Sequence, residues 1–201
     1  MQNIFAQSRV SFLLALIIGG VAGYGMSVYL PKNEERLIRD FYATEVAVSV
    51  SPHSLRTSLD RGENKYVLVD LRSAEEYAAA HIPTAINIPA YKDKNTSAYD
   101  ETDRIMNSFR ELPEDKQIVT YCYSIPCMTS RKVGNILAEK GIYVKHLNIG
   151  WNEWRYYWKL WNHEHEWASA LPEDYVVIGK EPGVWPRSGL LSPCTTGELG
   201  C

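Results

Sequence analysis

The sequence has no cluster of Lys and Arg. Its 21 basic side chains stand against 24 acidic ones, for a net charge of −3 at neutral pH. Nothing in that balance draws the chain toward a polyphosphate, and nucleic-acid binding is not expected. There is no internal repeat, which excludes a stacked-repeat architecture. Cysteine is sparse, with four in 201 residues. The four form two local pairs, Cys122 with Cys127 and Cys194 with Cys201. Neither pair has a well-spaced histidine or a further cysteine beside it, and His163 and His165 lie two apart without an evident third ligand. The expectation is no metal and no organic cofactor.

Charge is wholly absent from Ser11 to Leu30. A helix of that length, at about 1.5 Å per residue, just spans a bilayer core of roughly 30 Å. Arg9 precedes the run, and Lys32, Glu34, Glu35 and Arg36 follow it. The slight charge asymmetry places the N-terminus inside. The expected division is a short segment over 1–10, a transmembrane helix over 11–30 that engages the lipid bilayer, a charged helical stalk over 31–44, a folded domain over 45–170, and a Pro- and Gly-rich tail over 171–201 that wraps the surface. That makes a single-pass protein of the cell membrane with its large domain outside the cytoplasm. The competing reading is a signal peptide cleaved near Gly20-Val21-Ala22, which would leave a secreted domain. In either extracytoplasmic setting disulfides are permitted. C-T-T-G-E-L-G-C, from Cys194 to Cys201, is then expected to close a small disulfide loop.

Between these flanks, short apolar runs alternate with helical patterns. Glu45–Val50, Tyr66–Asp70, Ala85–Ile88, Gln117–Tyr121 and Tyr143–Leu147 read as strands. Pro52–Arg61, a short helix opened by the capping-box pattern Ser73-Ala74-Glu75-Glu76, Tyr99–Leu112, Thr129–Lys140 and Trp151–Trp161 read as helices. Strands alternating with helices imply an α/β domain with a mainly parallel, doubly wound sheet and helices on both faces.

One stretch carries chemistry. Y-C-Y-S-I-P-C-M-T-S-R, Tyr121 to Arg131, sets Cys122 at the end of a buried strand and just before a helix. Sites in open α/β sheets form beyond the carboxyl ends of strands. Loop amides and a helix N-terminus converging there favour negative charge. Such a cradle favours a thiolate at Cys122 and holds an anionic substrate, which suits attack on sulfur or phosphorus carried by an anion.

L-V-D-L-R-S-A-E-E-Y-A-A-A-H-I-P-T-A-I-N-I-P (Leu68–Pro89), I-V-T-Y-C (Ile118–Cys122) and G-W-N-E-W (Gly150–Trp154) occur in that order. Together they resemble the signatures of rhodanese-like domains, over about residues 45–162. The resemblance implies a rhodanese-like doubly wound fold. It also implies a thiosulfate sulfurtransferase-like activity, in which sulfane sulfur passes from a small sulfur-containing anion through a persulfide on Cys122 to a thiophilic acceptor. Asp70 and Arg72 match the paired residues that support the family's site structurally, by an ion pair in which Glu75 or Glu76 could share. The loop departs from the family pattern. It is longer, contains no glycine, and Pro126 removes one amide donor. Where related phosphatases place a phosphate-clamping arginine stands Met128, which argues against phosphoryl transfer.

Candidate roles follow. Cys122 is the nucleophile and Cys127 a candidate resolving thiol. Tyr123, Ser124, Ile125, Met128, Thr129, Ser130 and Arg131 form the substrate-binding loop, with Thr129 and Ser130 able to cap the next helix instead. Two alternatives stay open. One is a non-catalytic binding module whose loop cysteines are locked as a disulfide; the other is thiol–disulfide exchange through Cys122 and Cys127. Trp151, Trp154, Trp158 and Trp161 share one helical face, either a core stripe or a surface for a protein partner.

Overall fold

The computed structural model describes residues 15–25, 33–168 and 170–186. The chain divides into two compact units, 1–44 and 45–201. In the first, residues 15–25 are helical. Among the described residues no helix is long and apolar enough to cross a membrane. The span expected over 11–30 lies only partly within those residues, and Cys194 and Cys201 lie outside them.

Helix α1, Glu34–Val48, opens with Glu34 and Glu35 in its first turn, where carboxylates complement the helix dipole. It runs through Val48 because nothing between Thr44 and Val48 breaks a helix. The strand expected over Glu45–Val50 therefore shrinks to β1, Ser49–Val50. Helix α2, Pro52–Asp60, follows, with the Ser51 side chain accepting from the Ser54 N–H and Pro52 in the first turn. Then come β2, Tyr66–Asp70, and α3, Ala74–Ala79. Ser73 and Glu76 close the expected capping box on α3. Strand β3 is Ile86–Asn87. An exposed antiparallel hairpin, β4 (Tyr91–Asp93) with β5 (Thr96–Ser97), was not expected, because its polar sequence shows no alternation. Helix α4, Thr102–Arg110, is preceded by a 3-10 turn at Tyr99–Glu101. The second half of the domain runs β6 (Gln117–Tyr121), α5 (Thr129–Ala138), β7 (Lys145–Leu147), α6 (Trp151–Tyr156) and α7 (Trp158–Trp161).

The main sheet has five strands in the order β1-β7-β6-β2-β3, and every pairing in it is parallel. Side chains alternate across it with period two. Leu68, Val119 and Tyr121 face a core shared with Leu55 of α2 and Trp154 of α6. Val67, Val69 and Ile118 face the opposite core, built with Ile105 and Phe109 of α4 and Val133 and Leu137 of α5. Both faces are covered, as a parallel sheet requires.

Two expectations fail in the C-terminal third. The helix over Trp151–Trp161 breaks at Tyr157, whose backbone leaves the helical region (φ −122°, ψ 38°). The break lets Trp154 and Trp161 stack at 5.1 Å while Trp158 stacks on Tyr175 at 5.0 Å. Trp151, Trp154 and Trp158 are buried, so these three form a core stripe. The chain beyond 170 does not simply wrap the surface. Tyr175 and Trp185 enter the same core, Val177 pairs with His81 by two backbone hydrogen bonds of 2.9 Å, and Trp185 Nε1–H donates to Asp60 at 2.8 Å.

Trp185 is thus an anchor for the C-terminal stretch. Trp185→Ala should lower unfolding free energy by about 3–5 kcal/mol, read as a lower denaturant midpoint with an unchanged slope. A loss below about 0.5 kcal/mol, the range of ordinary surface substitutions, would show that the stretch lies on the domain without supporting it.

Candidate active site

From β2 the chain steps to β3 on one side, while β6 lies on the other. The strand order therefore reverses between β2 and β6, where such sheets open a crevice at their carboxyl ends. Asp70 and Tyr121 are in register and end their strands together. The next residues along each strand, Leu71-Arg72 and Cys122-Tyr123, begin the floor of the site.

The floor under β2 is an ion pair. Asp70 is fully buried and Arg72 is 2% exposed. Arg72 donates through Nε and Nη2 to both Asp70 oxygens, the shortest contact being 2.6 Å, and through Nη2 to the Ala80 carbonyl at 2.8 Å. Asp70 Oδ1 also accepts the Arg72 N–H. The partner of Arg72 is thus Asp70, whereas Glu75 is exposed and Glu76 serves the α3 cap and Tyr123. The guanidinium lies 4.4 Å from the Trp151 ring, so the first signature packs on the last. Desolvation pulls the Arg72 pKa down, but the Asp70 charge and hydrogen bonds, together with Tyr121, outweigh it and the net shift is upward.

The loop itself is pinned from behind. The first N–H groups of a helix lack partners within it. In α6 they donate to the loop, Trp151 N–H to the Cys122 carbonyl and Asn152 N–H to the Tyr123 carbonyl, both at 2.8 Å. Gly150 permits this approach. A Cβ there would lie 2.2 Å from the Ser124 nitrogen and 2.5 Å from the Tyr123 carbonyl carbon.

Cys122 is 3% exposed and Cys127 is half-buried. Both are free thiols, with their sulfurs 3.1 Å apart. At that distance the pair shares one proton and titrates as a unit. The hydrogen bond between the sulfurs, and after it burial, biases where the proton stays. Hydrogen bonding to Cys127 and desolvation push the Cys122 thiol far up. The bond from Cys122 draws Cys127 down to about 5, against desolvation, aided by the Thr129 hydroxyl and by the Thr129 and Tyr123 N–H groups. The Tyr123 amide also favours charge on Cys122. The Tyr123 and Thr129 N–H groups are directed at the sulfurs, and the two shifts favour negative charge on Cys127, the better solvated of the two, over the Cys122 charge expected from the sequence.

The remaining loop residues divide. Thr129 is buried, with its Oγ1 3.4 Å from Cys127 Sγ. That oxygen also meets the Tyr91 hydroxyl at 2.7 Å and accepts from the Tyr99 hydroxyl at 3.3 Å. Tyr91 is pushed up to about 12, chiefly by burial, and so stays protonated. Neither Thr129 nor Ser130 caps α5; the capping position is Met128, which makes no side-chain bond there. Ser130 is buried in the first turn. Ser124 accepts the Cys127 N–H at 3.0 Å through its carbonyl. Ile125 and Met128 are exposed. Arg131 Nη1 donates to the carbonyls of Ile125 and Cys127 at 3.1 and 3.2 Å, tying the loop closed while leaving its charge at the rim. A hollow of ≈ 420 Å³ bordered by Tyr99, Met128, Arg131 and Lys132 lies alongside.

Sequence reasoning missed Tyr91, Tyr99 and Glu76. Tyr123, placed in the loop for its backbone, donates its hydroxyl to Glu76 at 2.5 Å, and its ring lies edge-on to Tyr91 at 5.3 Å. None of these stands at a telling spacing from Cys122; they meet it through the fold.

Residues 51–156 match the family model described as Rhodanese-like domain. The chain is 32% identical over 129 residues to an HTH-type transcriptional regulator of Mycobacterium tuberculosis, covering 60% of this chain and 52% of that protein. It is 32% identical over 94 residues to a probable molybdopterin-synthase adenylyltransferase of Gracilaria tenuistipitata var. liui, covering 47% and 24%. The chain thus spans about half the length of one relative and about a quarter of the other. Among solved structures, a Bacillus halodurans protein is 31% identical with a TM-score of 0.47, covering 61% of this chain and 81% of that one. A rhodanese-related protein from Thermoplasma volcanium is 19% identical with a TM-score of 0.39, covering 53% and 88%.

Two outcomes are expected. Alkylation of Cys127 by iodoacetamide, followed by peptide mass spectrometry, should have its pH midpoint near about 5, with thiolate present above it and lost below. Cys122→Ala removes the proton donor and should move that midpoint upward; an unmoved midpoint would mean the sulfurs are not coupled. Gly150→Ala should cost about 1–3 kcal/mol through overpacking and alter the Cys127 alkylation rate by displacing the loop. An alanine that left both unchanged would disprove the close approach.

Proposed function

The chain belongs to the rhodanese-like family, and from that premise we propose that it is a sulfurtransferase working through the Cys122–Cys127 pair. The observation that supports this best is the two free sulfurs 3.1 Å apart at the strand-order reversal, with the Tyr123 and Thr129 amides directed at them.

Cys122 attacks the outer sulfur of a small anion such as thiosulfate. As it does so its proton passes to the Cys127 thiolate. The S–S bond of the donor breaks, sulfite leaves with the bonding pair, and Cys122 holds a persulfide. A thiophilic acceptor such as cyanide then takes the terminal sulfur and returns the thiolate. The rim charge of Arg131 and Lys132 beside the hollow favours an anionic donor. Cys127 also has a second course open to it. Its thiolate can attack the Cys122 Sγ of the persulfide, releasing hydrosulfide and leaving a Cys122–Cys127 disulfide. That branch consumes two thiols per thiosulfate and needs an external thiol to restore the site.

A second reading is favoured by the order of acidity in the pair. A better-exposed, acidic thiol beside a buried, weakly acidic one suits thiol–disulfide exchange. Cys127 would attack a disulfide substrate, expelling one thiolate, and Cys122 would resolve the mixed disulfide, expelling the second. The substrate is reduced by two electrons and the pair is oxidised.

Turnover of thiosulfate with cyanide separates the two readings. The reduced wild type should be active, and Cys122→Ser should lose at least about 10³-fold, as expected on removal of a covalent nucleophile. Cys127→Ser should retain the persulfide, seen as the added mass of one sulfur atom, where the wild type without acceptor goes on to the disulfide. Full activity in Cys122→Ser would refute sulfur transfer at that residue. Inactivity of the reduced wild type toward thiosulfate, with activity toward a disulfide, would establish the exchange reading.

A further inference from the structure

We propose that His53, His163 and Glu166 form a binding site for a divalent metal of the zinc class, joining helix α2 to the turn after α7, apart from the sulfur pair. One ligand atom from each of the three lies within 4.8 Å of the others.

His53 makes the case. It is 9% exposed. Its Nε2 lies 2.6 Å from the Trp161 carbonyl, which can only accept, so Nε2 carries the hydrogen and donates it. Nδ1 then keeps its lone pair, and it is buried without a hydrogen-bond partner. A buried acceptor left unmatched is uncommon and calls for an occupant. An imidazole whose second nitrogen donates to a backbone carbonyl is oriented and held in one tautomer, as metal-ligating histidines are.

Glu166 supplies the charge. It is 6% exposed. Oε1 accepts from Arg56 Nη1 at 3.1 Å and Oε2 accepts the His163 N–H at 3.0 Å. These bonds orient the carboxylate, as the outer hydrogen bonds of ligating carboxylates do. Arg56 is buried, also bonded to Asn162, and its charge opposes that of a metal. It therefore limits affinity, and it takes the place of the outer hydrogen bonds that ligating carboxylates keep. His163 is exposed, with its ring 5.0 Å from His53 and 5.7 Å from His165. Tetrahedral zinc with bonds of about 2.0–2.1 Å separates its ligand atoms by about 3.3 Å. Rotation of the exposed His163 ring closes the difference, and His165 or a water completes the shell. Two imidazoles and one carboxylate select zinc-class ions over calcium or magnesium, which favour all-oxygen shells.

The test uses the full chain. Zinc chloride is titrated calorimetrically into the protein with its four cysteines replaced by serine, which removes competing thiolates, and into the same protein carrying His163→Gln. One equivalent should bind the first, and affinity should fall at least about tenfold in the second. His163 is exposed, so its replacement leaves the fold intact. A second readout keeps the native cysteines: zinc should raise the Tm of the wild type and raise it less in His163→Gln. No binding in the first titration, equal affinity in both, or an equal rise in Tm in both overturns the proposal.

Discussion

The candidate site depends on one contact between backbones. The first N–H groups of α6 have no partners in their own helix, and the carbonyls of Cys122 and Tyr123 have none in the sheet; they satisfy each other. Only a residue without a side chain can stand at the junction, and Gly150 does. Once α6 is docked there, Trp151 lies beneath the Arg72 guanidinium, and Arg72 is held on Asp70. Three sequence signatures far apart in the chain thus become one rigid support for a loop that contains no glycine.

The loop then does electrostatic work that neither cysteine could do alone. Two sulfurs at 3.1 Å cannot both ionise cheaply, so they divide one proton. The bond from Cys122 and, after it, the Thr129 hydroxyl favour the charge on Cys127, and Thr129 is in turn held by Tyr91 and Tyr99. Arg131, which the sequence offered as part of the substrate-binding loop, donates through Nη1 to two loop carbonyls. The loop is closed by an arginine rather than built from glycine.

An aromatic cluster joins the end of the matched family region to the chain beyond it. Trp154, Trp158, Trp161, Tyr175 and Trp185 pack ring on ring, and Arg56 of α2 lies against three of them. This cluster orders the segment carrying His163 and Glu166 against α2, which brings the His53 ring to within 5.0 Å of the His163 ring. The same packing that holds the C-terminal stretch therefore creates the proposed metal site.

Local patterns determined much of this by themselves. The β2 and β6 runs, the Ser73–Glu76 capping box, the Pro52 boundary and the placement of Cys122 after a buried strand are all consequences of near-neighbour chemistry, and each appears as expected. The length of β1, the break at Tyr157, the burial of Trp185, the partner of Arg72 and the location of the thiolate were decided only by tertiary structure. Each depends on groups distant in sequence, such as Trp151 over Arg72 or His53 beside Glu166, that carry no shared periodicity. Propensity and spacing act over a few residues. Burial, hydrogen-bond partnership and the energy of a charge are set by whatever the fold brings within a few ångströms.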